Sequence, residues 1–375
     1  MSKAIPWYLW CTVLAVTSAM AGVHWDISWH RSIGRDTFWT PAHIAIYVCG
    51  VLAGISCGYL ILASTFSRGG GLRETSVWIW GFRGPLGAFI AAWGGIAMMT
   101  SAPFDDWWHN AYGLDVKILS PPHMVLAAGI FAVELGALLL VLGRMNRRGG
   151  SSRGWLYWMY IYLGGMLVIN MATVTMEYAS HVIMHSAMFY RVVMIAIPLF
   201  LVAAARGAGG RWAATHVAAI YMGFWLAVNW ILPLFSAEPK LGPVYTQVTH
   251  FVPSYFPLLL VIPAALMDLV WARTSGWGAI KSGLFTGAVF FAGVIAVQWP
   301  FANFLMSPAS RNWFFFTIAS GYMDSPTSYE VRSLFYALEK TAGEFWSGMA
   351  IALAIAMLMC LIGMSWGGWL RKVRR

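Results

Sequence analysis

The chain has little charge. Only 10% of its 375 residues are Asp, Glu, Lys or Arg, against roughly 25% in soluble domains, while 59% are apolar, more than one water-soluble globule of this length can bury. Cysteine is scarce as well. The four present, Cys11, Cys49, Cys57 and Cys360, show no CxxC spacing, which argues against a disulfide framework or a thiolate metal site and leaves them as small core residues. Short alternating strands of a membrane barrel are missing, and so is a glycine-rich loop that follows a strand and could cradle a phosphate. The net charge of +10 comes from Lys and Arg placed between apolar runs. It does not come from a basic face interleaved with aromatics, so no nucleic-acid partner is expected.

What the chain does have is a series of apolar runs near or above 18 residues, each long enough to cross a bilayer as a helix with its backbone satisfied internally. The runs predict an all-α, polytopic membrane bundle of about ten spans near 5–23, 41–66, 84–101, 121–143, 155–175, 189–205, 212–234, 253–271, 282–305 and 343–368. Sorting the 24 Lys and Arg by alternate loops puts 16 on the side that holds Lys3, the Arg144, Arg147, Arg148 and Arg153 loop, and the Arg371 to Arg375 tail. By the positive-inside rule that side is the cytoplasm, with both termini on it. Eleven of the 14 acidic residues fall in the opposite loops, so the acidic chemistry is expected to face the periplasm or exterior of a bacterial inner membrane. Residues 1–21 also offer a signal-peptide reading, with Lys3 ahead of the apolar run and Ala19-Met20-Ala21 as a cleavage-like site. Residues 1–150 are expected to form a four-helix metal-binding region and 151–375 a six-helix region of separate role. The segment 306–342 is long enough for a lid or a docking loop.

Two outward loops repeat each other. The first reads His24-Trp25-Asp26-Ile27-Ser28-Trp29-His30, runs through Gly34, Asp36 and Thr40-Pro41, and closes at His43; the second reads Asp105-Asp106-Trp107-Trp108-His109, runs through Gly113, Asp115 and Ser120-Pro121-Pro122, and closes at His123. Asp-x3-His on a helix puts carboxylate and imidazole on one face. A hydroxyl N-cap followed by Pro fixes where the next span begins and hence where the closing His points. Mixed N/O donors without thiolate suit copper, zinc or iron, and three protein ligands leave a coordination position open. The expected metal ligands are therefore Asp26, His30 and His43 at one site and Asp105, His109 and His123 at the other. Asp36 and Asp115 are expected to orient His rings, and His24 is either a further ligand or a hydrogen-bond partner of Asp26.

Three residues beyond the repeat form a helical stripe, Glu177-x3-His181-x3-His185, readable as a further metal site, a gate or a polar interfacial face. His216 and His250 stand alone and read as structural. Glu134, inside the fourth span, is costly in lipid and so faces protein or water. It serves either a proton path to the second site or helix pairing.

Asp26-x3-His30-x12-His43, with Arg35-Asp36-Thr37 and Thr40-Pro41-Ala42-His43 inside it, and Asp105-x3-His109-x13-His123 resemble the two metal triads of the C subunit of particulate methane and ammonia monooxygenases, the copper membrane monooxygenase family. The family's second triad usually opens with Asn, where this chain has Asp105. The resemblance covers about residues 20–145. It implies a copper-dependent monooxygenase that activates O2 and hydroxylates a small apolar substrate reaching it through membrane lipid, working with separate subunits or as a homo-oligomer. Two other functions compete with it. One is copper transport or assembly without oxygen chemistry, which would need an ion path, whereas the 21 Met are scattered. The other is a b-type cytochrome, which would need paired His within facing spans.

Overall fold

The computed structural model describes residues 5–34, 36–67, 71–113, 119–148, 154–176, 178–179, 183–239, 248–316 and 338–374. Glu177, His181, Asp115 and most of the 306–342 segment lie outside the described residues. The described residues are helical apart from one small hairpin and the turns and loops: α1 (Trp7–Ser32), α2 (Pro41–Phe66), the single turn α3 (Gly71–Glu74), β1 (Val77–Ile79), β2 (Phe82–Gly84), α4 (Leu86–Tyr112), α5 (Pro121–Arg148), α6 (Gly154–Val174), α7 (Ala187–Ala208), α8 (Ala213–Ile231), α9 (Val261–Arg273), α10 (Ala279–Leu305) and α11 (Ala342–Leu370). The strands pair antiparallel through Trp80 and Gly81, both at positive φ, the two-residue turn whose twist matches the flanking strands.

Among the described residues, eight helices are long and apolar enough to cross a membrane: α2, α4, α5, α6, α7, α8 (with the turn to Leu234), α10 and α11. Burial separates their roles. The α6 window, at a mean hydropathy of 1.3, is 72% buried, whereas the α11 window, at 2.3, is only 28% buried. In α11 most of a strongly apolar window is left uncovered, which is the arrangement lipid favours and water penalises. The chain is thus a multi-pass helical membrane protein.

Two of the ten expected spans fall outside this set. In α1 the length is sufficient, but the end of the helix carries His24, Asp26, His30 and Arg31. The run expected over 253–271 is helical only from Val261, because Pro253 and Pro257 remove backbone donors and disfavour helix in the residues before them. Residues 251–260 instead run without helix, and side chains satisfy their backbone. Val252 accepts from Ser28 Oγ at 2.7 Å and donates to Ser32 Oγ at 2.7 Å, and Pro253 O accepts from Arg31. Tyr255 O accepts from Trp225 Nε1 at 2.9 Å, Leu258 N donates to Tyr221 OH at 2.9 Å, and Leu259 N donates to Gln298 Oε1 at 3.2 Å. Irregular backbone inside a membrane protein is tolerated only when it is paired in this way.

The chain divides into two compact units, one of Met1–Asp26, Arg35–Asn170 and Trp369–Arg375, the other of Ile27–Gly34 and Met171–Gly368. In the first, α4 and α5 meet backbone to backbone. A Cβ added at Gly94 would lie 2.6 Å from Gly129 O, and one at Gly129 would lie 2.9 Å from Gly94 O, so only glycine allows this approach. The C-terminal tail is tied into the same unit by Asn146 Nδ2, which donates to Leu370 O at 3.1 Å and to Val373 O at 2.8 Å. In the second unit, Asp268 on α9 accepts from Ala214 N, Thr215 N and Thr215 Oγ1. It thereby supplies the N-terminus of α8 with the cap that Trp212 cannot.

Candidate metal centre

The first Asp/His cluster is built from the end of α1, the loop after it and the start of α2. Asp26 and His30 are one turn apart on α1, so both project from one face. Pro41 opens α2 at its first helical position, which brings His43 to the mouth of the loop. The expected hydroxyl cap does not form here. Thr40 makes no side-chain bond to α2; its Oγ1 accepts from Thr37 N at 2.8 Å and so holds the short loop that carries Asp36. As a result His43 Nε2 lies 3.2 Å from Asp26 Oδ1 and 2.8 Å from Asp36 Oδ2. Asp36, read from sequence as a residue that orients a ring, sits at the same nitrogen as Asp26. Asp26, His30 and Asp36, within eleven residues of chain, also offer ligand atoms that all lie within 4.8 Å of one another.

At the second cluster the cap is made. Ser120 Oγ accepts from His123 N at 3.4 Å, the N-cap to N3 bond that sets the first turn of α5. Two residues before Asp105, Pro103 removes a helical hydrogen bond from α4. Asp105 Oδ1 then lies 3.8 Å from His109 Nε2 and 3.5 Å from His123 Nε2. Its neighbour Asp106 is exposed and turned to Asn110, whose Nδ2 lies 3.4 Å from Asp106 Oδ2. Thus Asp105 and not Asp106 faces the two imidazoles.

Donors held about 2.0–2.2 Å from a tetrahedral ion lie about 3.4 Å apart. The four measured separations, 2.8 to 3.8 Å, bracket that value. At the second cluster Asp105 Oδ1 and His109 Nε2 are shielded from solvent and have no hydrogen-bond partner among the described residues. Each orphan of this kind costs about 1–3 kcal/mol unless something fills the gap, and a cation bound by both would satisfy them at once. At the first cluster two carboxylates crowd one nitrogen that carries at most one hydrogen, an excess of negative charge that a divalent cation offsets. The donor set, carboxylate oxygen and imidazole nitrogen without thiolate, fits copper, iron or zinc.

Sequence reasoning missed Tyr47. One turn after His43 on α2, its ring packs 6.2 Å from the imidazole and its OH donates to Phe38 O at 3.1 Å. It lies within electrostatic reach of Asp26, Asp36, Asp105 and Asp106. The i+4 spacing from His43 was the available signal.

The other candidates stand apart. His24 is fully buried, and two residues before Asp26 on a helix it points about 200° away from that carboxylate. His185 is buried with its ring edge on Trp299, centroids 4.6 Å apart. Burial pushes its imidazole below the ordinary range, against hydrogen bonds to the Asn303 side chain and the Trp299 backbone. His250 is exposed, its Nδ1 2.9 Å from Thr249 Oγ1. Glu134 is buried beside Asn170, whose Nδ2 donates to Oε2 at 2.8 Å.

These features define a multi-pass helical membrane protein with two Asp/His clusters at helix ends. No protein-family model, characterised protein or solved structure matches the chain.

Proposed function

We propose that this protein is a membrane metalloprotein that holds transition-metal ions, copper foremost, at Asp26, His30, His43 and Asp36 and at Asp105, His109 and His123, and that it works as an oxidoreductase on a small apolar substrate. The observation that carries the reading is the pair of shielded ligand atoms Asp105 Oδ1 and His109 Nε2, neither hydrogen-bonded among the described residues and 3.8 Å apart, with His123 Nε2 3.5 Å from the same oxygen. Bound copper would supply one-electron and oxygen chemistry that no side chain provides. The chain's own residues bind the ions, and at the second cluster the three ligands Asp105, His109 and His123 leave one coordination position open to a small molecule, at the end of a lipid-facing bundle where an apolar substrate can arrive from the bilayer.

The sites belong on the outward face and both termini in the cytoplasm, as the distribution of Lys and Arg between alternate loops argues. The likeness of both motifs to the copper membrane monooxygenase C subunit supports hydroxylation over ion transport. Metal analysis of the purified protein with an EPR spectrum tests the reading. Cupric signals with nitrogen and oxygen ligation, lost on His109→Ala and His43→Ala, are expected. Protein that neither carries nor takes up copper, iron or zinc would overturn it.

A further inference from the structure

We infer that Glu134 is a proton-exchanging group in the interior of the first unit, held as a neutral acid and positioned by Asn170 to deliver or accept a proton on the side of the second metal cluster. The inference rests on that cluster for its direction, and on Glu134's own surroundings for its chemistry.

Glu134 is 1% exposed, and its two oxygens are treated differently. Oε2 accepts from Asn170 Nδ2 at 2.8 Å. Oε1 is buried with no hydrogen-bond partner among the described residues. On the elements packed around it, the Asn170 amide on α6 hydrogen-bonds the carboxyl and the Cys49 thiol on α2 lies within electrostatic range of it. Among the described residues no Lys, Arg or His pairs with it. An isolated carboxylate in such a place is far more costly than a neutral acid, so the group carries its proton, on Oε1, the oxygen left open.

Asp268, by contrast, engages both of its oxygens with three donors on α8. Glu134 keeps one oxygen unengaged. It follows His123 by eleven residues on α5, about 16 Å along the helix and within about 20° of the same face. Proton release breaks the O–H bond at Oε1 and passes the proton to a water oxygen. The carboxylate left behind keeps the Asn170 N–H at Oε2, which stabilises the charged form while it lasts.

Infrared difference spectroscopy on the full-length protein in detergent tests this. The expected result is a protonated-carboxyl C=O band near neutral pH that disappears in Glu134→Gln, persists at a shifted frequency in Glu134→Asp, rises in frequency in Asn170→Leu, and moves within minutes of transfer to D2O. Adding copper(II) should shift the band in the wild-type protein and not in His123→Ala. Absence of any band lost in Glu134→Gln means the group is ionised and overturns the inference. A band that D2O leaves in place for hours means a locked structural acid and overturns it equally. A band that exchanges while the protein takes up no copper upholds the acid and removes its direction, so the metal reading fails separately.

Discussion

The carboxylate of Asp36 reaches the Nε2 of His43 at 2.8 Å across a loop of only a few residues. That loop is pinned at its far end by Thr40 Oγ1 on Thr37 N. The geometry makes the loop itself part of the first cluster, so mutations there should act on metal affinity before they act on the fold.

Replacing His43 or His30 with Ala should abolish metal at the first cluster and leave the second loaded, with an unchanged far-UV circular dichroism spectrum, because a lost ligand costs far more affinity than stability. Metal stoichiometry by mass spectrometry checks this. Full retention in both variants would end the assignment.

Asp36→Asn and Thr40→Val form a graded pair. Removing the carboxylate should weaken binding at the first cluster by more than the roughly 10–100-fold typical of groups that only support ligands, and Thr40→Val, which only loosens the loop, should weaken it less. Competition titration against a chelator of known affinity measures both. Equal affinities in the two variants and the parent protein would show that Asp36 is a bystander.

Asp105→Asn should keep metal at the second cluster but bind the divalent ion less tightly and raise its reduction potential, since a neutral amide oxygen is a weaker ligand than a carboxylate. Asp106, turned to Asn110, should tolerate Asn without effect. The opposite ranking, read by titration and potentiometry, would mean that the ligand register at α4 is one residue off.

The second unit should lose stability on acidification through His185. Burial lowers its imidazole in the folded state, while the unfolded chain protonates near about 6.5. The contribution is therefore complete above that value and declines as pH falls below it toward the lower folded value. Thermal unfolding in detergent between pH 7.5 and 5 should show this decline, and His185→Gln should flatten it. An identical slope in the variant would assign the acid sensitivity elsewhere.

Cysteine labels placed in 24–39 and 102–113 should react with a membrane-impermeant reagent added outside intact cells, while labels at Asn146 and Arg147 should not. Reaction of the latter pair from outside would invert the topology.

Eight of the ten expected spans, and the approach of Asp105 to His109 and His123 and of Asp26 to His43, were legible because their signals are local: apolar runs of fixed length, and an Asp and a His one turn apart with a Pro that starts the next helix. The interruption at 251–260 was not, although Pro253 and Pro257 were visible. What keeps that segment extended is pairing to Ser28, Ser32, Trp225, Tyr221 and Gln298, residues as much as 224 positions away in sequence. The role of Thr40 was misread for a related reason. A Thr-Pro pair signals a cap in general, and the competing acceptor position toward Thr37 depends on the conformation of a loop that sequence does not fix. Asp36 was read as a supporting residue because ligating imidazoles usually donate their other N–H to a carboxylate, and the turn after α1 brings it to the same His43 nitrogen as Asp26.

The contact between Gly94 and Gly129 ties α4 to α5 without any side chain between them, and the second cluster draws Asp105 and His109 from the first of these helices and His123 from the second. The bite of that cluster is therefore set by backbone separation some way from any ligand. Ion binding and helix association must then be reciprocal. An ion should tighten the helix pair, and one methyl group added at Gly129, touching no donor atom, should be felt as a change in which ion fits.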